Sequence, residues 1–207
     1  MNKKIINAEQ INIVGKDGIP RLSLFNEDHI PNVLFRGEEI LKGHRQNDHI
    51  AGMLFFNPNG TEAGGLIYGN NTNANGAPTA GMSLTFDQFE QDQVLQFLYA
   101  KDGAHQQYGI HLYDRPTDKN VKEQVEQLEQ ALKLEDEHDK TKAINDIYAG
   151  SGPRAFFGKR NEEVTVELFD QVYKPRLKMY IDKDGNPHVD FLDADGNVTY
   201  SLPPKTE

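Results

Sequence analysis

The stretch RLKMYIDKDGNPHVDFLDADGNVTYSL, Arg176 to Leu202, decides the fold class. Leu177, Met179 and Ile181 alternate with Lys178 and Tyr180, the period of a strand with one side buried. Asp184-Gly185 and Asp195-Gly196 interrupt the alternation. Glycine supplies positive φ, and Asp or Asn tolerates it best among the rest, so each pair marks a hairpin. The stretch predicts three strands, Arg176–Asp182, Pro187–Asp193 and Asn197–Leu202, joined as a meander.

The same unit recurs outward from there. At the N-terminus Ile11–Val14 leads through Asp17-Gly18 to Pro20–Phe25, where Leu22 and Leu24 alternate with Arg21 and Ser23. Gly is followed two residues later by Pro in both Gly18-Ile19-Pro20 and Gly185-Asn186-Pro187, so repetition of a hairpin unit is plausible. Val164, Val166 and Leu168 alternate with Thr165 and Glu167. Met53–Asn57 and Gly64–Tyr68 flank Asn59-Gly60, and Val94–Tyr99 and Tyr108–Tyr113 flank Asp102-Gly103. The Asn- and Gly-rich stretch Gly69–Gly81 reads as a mobile loop. The expected fold is a single mainly β domain over residues 1–207, its antiparallel hairpins forming a sandwich, a barrel or a stacked sheet. The strand aromatics, Phe97 and Phe157 among them, are expected in its core.

Residues 117–149 break the pattern as a helical insertion. Their Glu, Gln, Lys, Leu and Ala are strong helix formers, and Val121, Val125, Leu128 and Leu132 make one apolar stripe, for packing on the domain's own sheet or on another subunit. Thr117 or Asp118 is the expected N-cap, Gly150, Gly152 and Pro153 stop the helix, and the acids Glu135, Asp136, Glu137 and Asp139 mark a break between two shorter helices. Asp118 with Lys122, Glu129 with Lys133, and Asp136 with Lys140 have the spacing of surface pairs.

Composition excludes several functions. The chain has no cysteine, so disulfides, zinc-thiolate sites and thiol nucleophiles are out. A formal net charge of −10, with Lys and Arg scattered, opposes a nucleic-acid partner, whose phosphates need clustered cations. Ile5 and Ile6 are too short an apolar run for a signal peptide, and no stretch is long enough for a membrane helix. A soluble, cytoplasmic protein without membrane insertion is expected.

Candidate chemistry is weak. His44, Asp48 and His49, with Arg45, carry the residue types of a metal or catalytic site, but their spacing matches no zinc motif. Asp182, Asp184, Asp193 and Asp195, with Asp190 between them, open like calcium loops but lack the bidentate Glu and the flanking helices. Asp87, Glu90 and Asp92 offer carboxylates for acid-base work on a glycosidic bond. Ser151 lacks the nucleophile-elbow context and reads as part of the helix stop.

Asp17–Leu24, Ala51–Gly69, Ser83–Val94, Arg115-Pro116, Arg154–Gly158 and Pro175–Pro203 together resemble a family of uncharacterised bacterial all-β proteins with these hairpin blocks. The resemblance implies the all-β fold and carries no activity, cofactor or catalytic residue. The leading expectation is a non-enzymatic structural or binding protein that self-associates, because an open meander exposes edge strands. A barrel binding a sugar or small apolar molecule, and a hydrolase using carboxylates or the His44 loop, are the alternatives. No cofactor is implied.

Overall fold

A computed structural model describes residues 4–45 and 48–204. The strands are β1 (Gln10–Val14), β2 (Pro20–Phe25), β3 (Leu34–Phe35), β4 (Glu38–Glu39), β5 (Ala51–Phe56), β6 (Glu62–Thr72), β7 (Pro78–Asp87), β8 (Gln93–Asp102) and β9 (His105–Asp114). Helices α1 (Val121–Ala131) and α2 (Glu137–Ile147) follow, then β10 (Gly152–Arg160), β11 (Glu163–Phe169), β12 (Pro175–Ile181), β13 (Pro187–Leu192) and β14 (Val198–Leu202). Apart from the small β3–β4 pair, the strands form one 12-stranded sheet in the order of the chain. All its pairings are antiparallel. The fold is mainly β as expected. The sheet stays open, neither closing into a barrel nor doubling into a sandwich within the chain.

Turn chemistry explains the meander. In Gly15–Ile19, Asn57–Thr61, Asn73–Ala77, Asp170–Lys174, Asp182–Asn186 and Asp193–Asn197 the first N–H donates to the fifth carbonyl and the fourth N–H returns to the first. The fourth residue has positive φ and is glycine in every case but Tyr173, at φ 62. The side chain of the first Asp or Asn does the rest: Asp182 accepts from the N–H groups of Asp184 and Asn186, and Asn73 from those of Asn75 and Ala77. The Asn73 turn corrects the expectation of a loop over Gly69–Gly81. Asn70 and Asn71 pair with Ala80 and Thr79, so β6 and β7 run on to a tight hairpin. Polarity there marks strand ends beyond the core.

Pairing fixes which side chains share a face. One row runs Ser23, Leu54, Gly65, Thr85, Gln96 and His111, then Phe156, Glu167, Lys178, Asp190 and Ser201. This polar face carries cross-strand bonds such as Lys178 to Glu163, 2.7 Å, and Ser201 to Asp190, 2.7 Å. Residues 26–45 cross it, and Ile30 and Leu34 pack on Phe25, Leu54 and Phe56 to make the small core. Further along, Phe156 is 1% exposed. Its ring lies along the sheet over Gly109 and Gly158, where any Cβ would fall 2.8 Å from it. The Arg160 guanidinium sits 4.0 Å over that ring.

The helices connect β9 to β10. The insertion is split where the acids predicted, but the N-cap is Asn120 rather than Thr117 or Asp118, and with Glu123 it forms a capping box. Thr117 and Asp118 fall short because the strap before α1 is bound to the β7–β8 turn: Gln88 and Gln91 donate to the carbonyls of Pro116 and Lys119. The expected pair to Asp118 gives way to Lys122 reaching Glu38 and Glu126, and Lys140 pairs with Glu137 instead of Asp136.

Candidate functional site

The opposite face of the sheet is apolar from edge to edge. Its central row is Ile11, Leu24, Met53, Leu66, Leu84 and Phe97, then Ile110, Phe157, Val166, Met179, Val189 and Leu202, one residue from each strand in sequence. The next row holds Phe86, Leu95, Leu112, Leu168, Leu177 and Phe191 among others, with no charged residue. A third, with Tyr68, Met82, Tyr99, Tyr108, Val164 and Ile181, has a single charge, Lys159.

No side chain of the central row is buried: Ile11, Phe97, Phe157, Met179 and Leu202 are exposed and the other seven are half-buried. Phe97 is 43% exposed, Phe157 57% and Met179 40%. Of the aromatics expected in a core, Phe156 is buried on the other face, whereas Phe97 and Phe157 are on a surface, because no second layer among the described residues reaches this face. Eleven strand spacings span roughly 50 Å and three rows roughly 15–20 Å, a patch on the order of 1,000 Å², above the few hundred typical of monomers. The whole chain exposes 13673 Å². A compact monomer of 23.4 kDa is expected to expose roughly 9,700 Å², so the excess is about 4,000 Å².

On the polar face a cavity of about 280 Å³ lies between the sheet, α1 and residues 33–45. Glu62 opens β6 opposite Phe56, brought to that face by a register shift, and Asp87 closes β7 two residues along from Thr85. Arg45 donates to Glu62 Oε1 at 3.0 Å and to the Pro31 carbonyl at 3.1 Å. Glu62 Oε2 is buried and has no hydrogen-bond partner among the described residues. Arg115 donates to the Gln93 carbonyl at 2.8 Å and pairs with Asp92 at 3.3 Å. Burial first, and then the charges of Glu62 and Asp92, push the Asp87 carboxyl up to about 7. Gln91 and Gln124, both buried and bonded to each other at 2.8 Å, tie α1 to the wall.

The sequence candidates are dispersed. Exposed His44 reaches the cavity mouth, while Asp48 and His49 line a separate groove beside Tyr68 and Gly69, so the two histidines and the carboxylate do not converge. Of Asp87, Glu90 and Asp92, the first and last line the cavity. Glu90 is taken by Arg36, at 2.7 and 2.8 Å, and by Asn59, at 2.9 Å. Asp182 and Asp193 are consumed by their own turns, and bonds from the turn amides and from His188 hold Asp182 well below the usual carboxylate range. Asp184 and Asp195 belong to those same turns, at opposite ends of β13. Six residues of strand, roughly 20 Å, separate the two pairs, so the four cannot share an ion. Ser151 lies on the cavity wall after α2.

In the stripe, Val125 is buried and Val121 and Leu128 are half-buried, whereas Leu132 is 57% exposed. Val121 and Val125 line the cavity, so that end of the stripe packs within its own chain. Sequence reasoning passed over Glu62, whose signal is a charge on the core side of the otherwise apolar β6. No family model, no curated protein and no solved structure matches this chain. No helix among the described residues is long and apolar enough to cross a membrane.

Proposed function

We propose that this protein is a self-associating structural or binding protein whose copies pack sheet against sheet through the apolar face. The observation that carries the reading is the row of twelve apolar side chains, one per strand, none of them buried and five of them exposed, on a chain of net charge −10. Apolar alternation kept in register across twelve strands needs an apolar partner. A second copy supplies one of matching extent, and two sheets stacked about 10 Å apart give the interdigitated core of a sandwich. A patch on the order of 1,000 Å² on each chain would bury about 2,000 Å² in a pair, at the lower end of what obligate homodimers bury. A face nearly free of charge gives a charged partner nothing to recognise.

Light scattering on the purified chain tests this, with an expected mass of at least two chains at micromolar concentration. Because the chain has no cysteine, single variants Phe97→Cys, Phe157→Cys and Met179→Cys report unambiguously. In the assembly their thiols resist modification, while Lys178→Cys on the polar face reacts freely. A monomer with reactive thiols on both faces defeats the proposal. So does a monomer that sediments with neutral lipid vesicles, since the occupant is then a lipid surface.

A further inference from the structure

We propose that the cavity beside α1 is a binding site for a small primary amine, its ammonium held between Glu62 and Asp87 and its carbon chain against Val33, Leu41, Val121 and Val125. Charge and valence select that class. The wall presents three carboxylates, Glu62, Asp87 and Asp92, against two guanidiniums, Arg45 and Arg115. Both guanidiniums are committed, Arg45 to Glu62 Oε1 and Pro31, Arg115 to Asp92 and Gln93. The unmet groups are therefore acceptors carrying one surplus negative charge: Glu62 Oε2, which is buried without a partner among the described residues, and Asp87. An ammonium brings three donors and the missing positive charge, and a buried charge is tolerable only when paired. A carboxylate ligand would add to the surplus. A neutral polyol would leave it standing.

Proton linkage gives the site a signature. Asp87 faces Glu62 from β6, Asp92 from the β7–β8 turn, Arg115 from the end of β9, Arg45 and exposed His44 from residues 33–45, and Tyr148 after α2, while α1 contributes the uncharged Gln124. Below about pH 7 Asp87 holds a proton, and an arriving ammonium must displace it. Affinity for an amine then rises by up to roughly tenfold per pH unit until Asp87 ionises and is level above, whereas a hydroxyl ligand shows no such rise.

Ligand-observed saturation-transfer NMR on the whole protein, with n-butylammonium chloride, sodium butyrate and erythritol at pH 5.5, 6.5 and 7.5, tests this. The expected result is saturable binding of butylammonium alone, strengthening to pH 7. Glu62→Gln and Asp87→Asn should each weaken it at least tenfold, Asp87→Asn also flattening the pH profile, and His44→Gln should preserve both affinity and profile. Melting curves confirm that each variant is folded, and Glu62→Gln and Asp87→Asn are read independently should either unfold. Equal binding of butyrate or erythritol overturns the proposal, as does no saturable transfer from butylammonium, or unchanged affinity in folded Glu62→Gln. The cavity lies on the face away from the apolar rows, so this result and the assembly result stand or fall separately.

Discussion

Phe156 and Phe157 are consecutive in β10 and point to opposite faces of one sheet. Phe156, on the polar face, is 1% exposed; Phe157, in the apolar row, is 57% exposed. The usual order is reversed: the face with serines, glutamines and ion pairs holds the covered side chains, and the face built of Leu, Phe, Ile and Met is bare. The polar face is covered by its own devices, the crossing of residues 26–45, the helices, and rings laid over glycines. The apolar face has none of these. The two faces are thus closed at different levels, one by folding and the other, on our proposal, by association.

The largest expected effect breaks the bare face. Phe97→Glu combined with Phe157→Glu puts two charges in the central row, on β8 and β10 either side of Ile110, without disturbing any contact of the polar face. Self-association should weaken at least a thousandfold, on the order of 4 kcal/mol or more, because each buried interface would have to desolvate unpaired carboxylates. Sedimentation equilibrium reads this as a drop to the single-chain mass. Lys178→Gln on the other face should leave the mass unchanged. If the double variant sediments like its parent, the apolar rows are not the contact.

Next comes the covered member of the pair. Phe156→Ala removes the ring that fills the space over Gly109 and Gly158 and supports Arg160. Its cost should be about 3–4 kcal/mol in urea denaturation, as for other buried aromatic truncations. Phe157→Ala should cost the folded single chain under about 1 kcal/mol and act on association instead. Equal destabilisation of the single chain by both would mean that the two faces do not differ as described.

Much of this contrast was legible in the sequence. Alternation in Arg176–Leu202 gave the strands nearly to the residue, and the Asp-Gly and Asn-Gly pairs located most of the turns. What alternation in single strands hides is phase between strands. The five-residue turns fix that phase by pairing their first and fifth residues, so Ile181 must meet Pro187 and Met179 must meet Val189. The rule carries through the Asn73 and Asp182 turns, but beside the Gly15, Asn57, Asp170 and Asp193 turns a bulge shifts the register by one residue, and nothing in the alternation of a single strand announces those bulges. The cavity was less accessible. It joins Glu62, Asp87, Arg115 and Val125, which are brought together by residues 26–45 folding over the sheet and by α1 docking through Gln91 and Gln124. Neither docking leaves a periodic signature in the chain.

The cavity gives the third effect, intermediate in size and confined to the polar face. Asp87 is held protonated up to about 7 in the folded chain and titrates near 4 when unfolded. Between those values the unfolded chain releases a proton that the folded chain retains, so the Asp87 contribution to stability falls as pH rises from about 4 to 7 and is flat above. Asp87→Asn removes that loss. It should stabilise the protein at pH 8 by about 2 kcal/mol, allowing for the partial exposure of the carboxyl, and by little at pH 4. Denaturation at the two pH values checks the sign. A variant less stable than the parent at pH 8 would mean that the carboxylate is a net stabiliser of the cavity wall.

The smallest effect isolates the helices from both faces. The Asn120 side chain accepts from the N–H of Glu123, and the Glu123 carboxylate accepts from the N–H of Asn120 in return. Asn120→Ala opens this box and should cost about 1 kcal/mol. The loss should be local. α1 is held to the sheet by Gln91 and Gln124, and the C-terminus of α2 is capped by Lys119, whose ammonium donates to the carbonyls of Asp146 and Ile147 at 3.0 and 2.8 Å. Hydrogen exchange should therefore quicken in residues 121–131 and leave β9 and β10 protected. The mass by light scattering should be that of the parent, since no part of α1 stands in the apolar rows. A change of mass in Asn120→Ala would instead make the exposed Leu132 end of the helix part of the contact between copies, and the closure of the two faces would no longer divide cleanly between folding and association.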